Sequence, residues 1–81
     1  MEPVIATHVD WVGEALGIEL MTPSSQPLAR RLYRALRGWI QVGHLASGSR
    51  LPSSRRLARD LGVGRNTLME AIEQLVAEGF L

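Results

Sequence analysis

The 81-residue chain contains no cysteine and no lysine. Lack of cysteine removes a disulfide framework, a thiolate zinc site and a cysteine nucleophile together, and makes a cytosolic protein the simpler expectation. Lack of lysine means that all nine basic residues are arginines. No apolar run approaches the roughly 20 residues that span a bilayer, and Met1-Glu2-Pro3 is not the basic start of a secretory signal, so the protein is expected to stay where it is made, without a membrane partner. The length is that of one small domain, which excludes a multi-domain enzyme. With 46% hydrophobic and 21% charged residues the composition is globular rather than disordered. At this size only about 60% of the unfolded chain's surface can be buried, so the core is expected to be thin.

A net charge of +1 hides three zones. Residues 1–29 carry Glu2, Asp10, Glu14 and Glu19 and no base. Residues 30–65 carry all nine arginines (Arg30, Arg31, Arg34, Arg37, Arg50, Arg55, Arg56, Arg59, Arg65) against the single acid Asp60, and residues 66–81 are acidic again through Glu70, Glu73 and Glu78. The guanidinium fork grips phosphate or a guanine edge with two hydrogen bonds, so the middle zone points to a polyanion unless it is only a solvated face. Spacing decides between these readings.

Residues 8–16 read as a short helix capped by Thr7 and ended by Gly17, with Trp11, Val12, Ala15 and Leu16 on one side. Ile18-Glu19-Leu20 alternates like a short strand, and Thr22 to Pro27 is a turn-rich linker. From Pro27 to about Val42, Leu28, Leu32, Leu36, Trp39 and Ile40 recur at helical spacing, with Arg30, Arg34, Arg37 and Gln41 opposite. Gly43 stops this helix, and His44 to Pro52 reads as a loop with an extended piece at Arg50-Leu51. Ser53 is placed to cap a helix over Ser54–Leu61 with Leu57, Ala58 and Leu61 inward and Gly62 as its left-handed end. A further helix runs from Arg65 to about Glu78, with Leu68, Ala71, Ile72 and Leu75 inward. Two helices joined by a tight glycine turn, with a small alanine at 58 where they approach, form the helix-turn-helix pattern.

The last helix places Asn66, Thr67, Glu70, Glu73 and Gln74 outward. Its acids would be repelled by phosphate if the whole helix lay flat in a groove, whereas its first turn joins Arg65, Asn66 and Thr67 to free backbone N–H groups and a positive dipole end. Only the tip is expected to enter the groove, with Arg55, Arg56 and Arg59 of the preceding helix available for phosphate.

The run Arg50 to Thr67 (RLPSSRRLARDLGVGRNT), followed by Glu73 to Leu81 (EQLVAEGFL), resembles the winged helix-turn-helix domain of the GntR family of bacterial transcription regulators. Ser53-Ser54-Arg55, Arg65-Asn66-Thr67 and the Gln74-Leu75 to Glu78-Gly79 ending resemble its MocR branch. The resemblance implies a mainly α domain of three core helices with the wing hairpin truncated, over residues 27–81, preceded by an extension and linker over 1–26. It implies sequence-specific binding of duplex DNA, not catalysis, as the N-terminal head of a regulator that forms a homodimer. It further implies DNA contacts by Arg55, Arg65, Asn66 and Thr67, with Ser54, Gly64, Arg56 and Arg59 as the remaining candidates. Asn66 would reach a base edge, adenine being the natural partner of a bidentate amide, and Thr67 a phosphate or thymine methyl. Gly64 departs from the family's usual Ser or Thr, which weakens both a helix cap and a phosphate contact. Met69 stands where other branches often have Arg. In the MocR branch such a head is joined to an aminotransferase-like domain that binds pyridoxal phosphate; this chain has no lysine for a Schiff base, so the cofactor would belong to a further domain, and the chain is expected to be a fragment.

Plainer roles suffice for several residues. His8 and His44 have no ligand partners at metal spacing. Ser53 is a cap rather than a nucleophile, no base being placed beside it, and Gly62-Val63-Gly64 is turn chemistry rather than a dinucleotide fingerprint. Trp39 lies on the apolar stripe and reads as core. Trp11 either covers the domain's own core or belongs to a dimer contact, and Arg30, Arg34 and Arg37 are either a solvated back face or additional phosphate contacts. The rival function is a helical protein-interaction or dimerisation module that uses Trp11 and the apolar front.

Overall fold

The computed structural model describes residues 11–48 and 51–81. Four helices carry the fold: α1 (Trp11–Met21), α2 (Leu28–Gln41), α3 (Ser54–Leu61) and α4 (Arg65–Ala77). There is no strand among the described residues. Leu51 is neither strand nor helix, so the extended piece expected at Arg50-Leu51 is absent at its described residue; Arg50 and Thr7 lie outside the described residues.

Helix α2 is central because its stripe is apolar at the right period: Leu32 and Leu36 are fully buried, while Leu28, Trp39 and Ile40 are partly buried against the same core. It packs on α4 through Leu68, Ala71 and Leu75, and α3 closes the third side with Leu57 and Ala58. Pro27 stands just before α2, its missing N–H being one that a helix start leaves unpaired. Gly43, at φ +87°, turns the chain off the helix end, and Leu45 folds back to bury itself with its N–H donating to the Trp39 carbonyl at 3.1 Å.

Helix α1 corrects the sequence reading of the front. It does not stop at Gly17 but runs to Met21, and Ile18-Glu19-Leu20 is helical rather than strand-like. Val12 and Leu16 are fully buried and Leu20 packs beside them, a four-residue repeat that tertiary packing favours over the local alternation. Glycine helps rather than breaks: a Cβ at Gly13 would lie 3.2 Å from Leu57 Cδ1, so the absence of a side chain lets α1 approach α3. The first residue of α1 meets the end of α2, the Trp11 and Trp39 rings standing edge to face at 5.2 Å, and the last turn of α1 meets the start of α2. There Arg31 donates to the carbonyl oxygens of Glu19, at 3.0 Å, and Thr22, where a cation also suits the negative dipole end. The two helices therefore run antiparallel, and Trp11 serves the domain's own core.

Candidate nucleic-acid interface

The turn between α3 and α4 is built from backbone preferences written in the sequence. Ser53 caps α3, its hydroxyl accepting the Arg56 N–H at 3.2 Å. Gly62 ends α3 in the left-handed region at φ +69°, where an L side chain is strained, and the Val63 N–H returns to the Ala58 carbonyl at 3.0 Å. Ala58 is 5% exposed beneath this turn, where a larger side chain would wedge the helices apart. Gly64 then starts α4 in extended conformation with no side-chain cap.

That uncapped start is the chemical centre of the site. The N–H groups of Arg65, Asn66 and Thr67 belong to the first turn, whose donors have no carbonyl within the helix and whose dipole end is positive. Arg65 and Asn66 are exposed and Thr67 is half-buried. Arg65 Nε donates to the Ser54 hydroxyl at 3.5 Å, a long bond that joins the first turns of the two helices. A neutral hydroxyl leaves the charge of Arg65 available to an anion.

Along α3, Arg55 and Arg59 are exposed and four residues apart, so they share a face. Arg56 is partly committed: its Nε lies 3.6 Å from the Asp60 carboxylate, both side chains more than half exposed, so water screens the pair and its stabilisation is small. The structure thus brings Ser54 and Arg65 into contact, sets Arg55 and Arg59 on one side of α3, and gives Arg56 a competing partner. The i,i+4 spacing of Arg56 and Asp60 was available in the sequence as the signal for that pair; nothing local in it foretold Ser54 meeting Arg65, eleven positions away.

A third element frames the site. The Tyr33 hydroxyl of α2 donates to Glu78 Oε1 just past α4, and Gln74 Nε2 donates to Glu78 Oε2 at 2.7 Å. The Tyr33 hydrogen bond, then that of Gln74, holds the Glu78 carboxyl below its ordinary value of 4.5, and the same bond raises Tyr33 above 10.0. Arg37 stands over the Phe80 ring at 5.6 Å, a cation–π contact. Phe80 in turn accepts from the Gly48 N–H at 3.0 Å and the Ser47 hydroxyl at 3.2 Å, so the chain leaving α4 is tied to both α2 and the loop before α3.

Comparison with known proteins agrees with this architecture. Residues 28–81 match the family described as bacterial regulatory proteins, gntR family. The chain belongs to the gntR family. Over 55 residues, 68% of this chain, it is 49% identical to "Probable rhizopine catabolism regulatory protein MocR" of Rhizobium meliloti, of which that stretch is 11%. It is 40% identical over 55 residues, again 68% of the chain, to the HTH-type transcriptional regulator YdeL of Bacillus subtilis, covering 12% of that protein. It is 41% identical over 59 residues, 73% of the chain, to the HTH-type pyridoxine biosynthesis transcriptional regulator PdxR of Corynebacterium glutamicum, covering 13% of it. The chain therefore spans little more than a tenth of the length of these relatives. No solved structure matches it. The gntR-type helix-turn-helix is a DNA-binding domain of transcription regulators rather than an enzyme, MocR-like in its similarity. No helix among the described residues is long and apolar enough to cross a membrane.

Proposed function

We propose that this domain is the sequence-reading head of a bacterial transcription regulator, which docks the first turn of α4 end-on in the major groove of duplex DNA. The observation that carries the reading is the start of α4: a helix with no side-chain cap, its free N–H groups ringed by Arg65, Asn66 and the half-buried Thr67. Asn66 reads a base edge, adenine by preference. Thr67 takes a phosphate or a thymine methyl, and Arg65, steadied by Ser54, takes a phosphate or guanine. Arg55 and Arg59 supply phosphate attraction, Arg56 a weaker share, and the bare backbone at Gly64 lets a phosphate approach closely. Glu70 and Glu73 lie further along α4, which supports insertion of the tip rather than the whole helix.

A single head of this size reads few base pairs, so two heads on two half-sites, in a homodimeric cytoplasmic parent, fit the reading. A pyridoxal phosphate-binding domain in that parent is supported by the MocR-like similarity alone. The residues of this chain do not fit the cofactor, having no lysine to bond it, and no step here involves it.

The test is fluorescence anisotropy of the domain with mixed-sequence duplex DNA across a salt series, beside the double variant Arg65→Ala/Asn66→Ala. A log–log slope near −3 to −5, from about −0.9 per phosphate, is expected, with the variant weaker by about 1–3 kcal/mol and altered in base preference. Binding unchanged in the variant would refute the role of the tip. Complete absence of binding at low salt, with helicity intact, would favour a protein partner.

A further inference from the structure

The three exposed arginines of α2 divide between two faces of the molecule. Arg34 lines a groove between α2 and α1, with Glu19, Thr22 and Trp39. Arg30 and Arg37 line a different groove, between α2 and α4, with Tyr33, Glu70, Gln74 and Glu78. In that second groove α2 and α4 advance in the same sense: Tyr33 bonds Glu78, and Arg37, one turn further along α2, covers Phe80 beyond it, while Arg30, one turn before Tyr33, lines the groove together with Glu70 and Gln74. The start of α2 therefore lies toward the start of α4, the end that carries Asn66.

Helical spacing settles which flank this is. With 3.6 residues per turn, Arg65, which meets Ser54 of α3, lies on one side of α4, and Gln74 and Glu70, which meet α2, lie on the other. Asn66 and Glu73 fall between them on the outward face. A helix tip seated in a major groove has a phosphate backbone on each side. The α3 arginines face one of these backbones. On the other flank Arg37 is engaged with Phe80, while Arg30 is exposed and makes no hydrogen bond or ion pair with any described residue. Glu78 is already held by Tyr33 and Gln74; Glu70 opposes an anion deep in the groove, so contact comes from the rim.

We propose that Arg30 is a second phosphate clamp, gripping the DNA backbone on the flank of α4 opposite Arg55 and Arg59, while Arg34 on the same helix takes no part. The assignment rests on the DNA-reading function proposed above. It converts an undifferentiated basic helix into one contacting residue and one bystander of equal charge, one turn apart.

Anisotropy titrations of the 81-residue chain with labelled mixed-sequence duplex at 50 to 200 mM salt test it, using Arg30→Ala, Arg30→Lys, Arg34→Ala and Arg55→Ala. Each variant is checked by far-UV circular dichroism, and all three sites are exposed. Arg30→Ala should bind several-fold more weakly at low salt and lose about 0.9 from the salt slope, so that its deficit shrinks about 3- to 4-fold across the series. Arg30→Lys should restore the slope, and Arg34→Ala should match the parent. If Arg30→Ala matches the parent while Arg55→Ala is weakened, the clamp is refuted and the DNA-reading head stands. If Arg30→Ala and Arg34→Ala are weakened equally, the effect is bulk charge and the clamp is refuted too. If Arg55→Ala and the rest all leave binding unchanged, the clamp and the reading beneath it fail together.

Discussion

Replacing Gly64 with serine should stabilise the domain, and replacing Gly62 with alanine, two residues earlier in the same turn, should destabilise it. Gly64 has φ −66° and ψ 139°, a conformation open to any residue, and an added Cβ would meet only Thr67 Oγ1, at an ordinary 3.7 Å. Serine there loses less chain entropy on folding than glycine, a gain of about 0.4–1 kcal/mol. Its hydroxyl can also accept from the N–H of Asn66 or Thr67, adding a few tenths over glycine. The sum, about 1 kcal/mol, corresponds to roughly 4–8 °C in Tm for a domain of this size. Gly62 differs only in its backbone: there is open space for a Cβ, but φ is +69°. The left-handed conformation costs an L residue about 1–2 kcal/mol, and the entropy gain offsets only part of it, so Gly62→Ala should lower Tm by a few degrees. Thermal unfolding followed by helical circular dichroism reads both, and Gly64→Ala separates entropy from capping, since alanine is a poorer cap than serine by about 0.5–2 kcal/mol. A Gly64→Ser variant that melts below the parent, or two glycine variants that shift in the same direction, would refute the reasoning.

Two further outcomes follow from single contacts. Ser53→Ala removes the hydroxyl that accepts the Arg56 N–H and should cost about 1 kcal/mol in urea denaturation; an unchanged midpoint would show that the cap is dispensable. Tyr33→Phe removes the hydrogen bond that lowers Glu78 and raises Tyr33. The depressed carboxyl gives stability that is present above its ordinary 4.5 and lost as pH falls through the folded value, whereas the raised phenol gives stability that is present below its ordinary 10.0 and lost as pH rises through the folded value. The variant should therefore lose part of the parent's pH dependence of Tm at both ends; curves that remain parallel below pH 4.5 and above pH 10 would exclude the pair as a contributor.

What could be read from the chain alone is what local chemistry determines. The period of Leu32 and Leu36, the serine before α3 and the glycine after it each act within one turn, and all three stand as read. The front of the chain misled because two local signals agreed, a glycine at 17 and an alternation over 18–20, and both were overruled by the burial of Val12, Leu16 and Leu20 against helices that come later. Leu45 has no local signal for burial, lying in a loop, because its burial depends on the left-handed turn at Gly43 returning it to α2. At the candidate site the residues were visible and their mutual arrangement was not: no local pattern places Ser54 on Arg65, or Tyr33 on Glu78, 45 positions apart.

The same distinction governs the arginines, whose clustering in sequence made them look equivalent. Folding gives them different work. Arg31 closes the carbonyl end of α1 and Arg37 covers Phe80, so two of the cluster are drawn into holding the domain together, while Arg56 shares its charge with Asp60 on its own helix. Arg55, Arg59 and Arg65 remain on the α3 side of the reading helix and Arg30 on the α2 side, with Asn66 between them. Because phosphate attraction falls off within about 10 Å at 0.1 M salt, it is this placement and not the net charge of +1 that determines how the domain meets a duplex. Neutralising Arg30 and neutralising Arg34 change composition and net charge alike, and on this reasoning only the first weakens the grip.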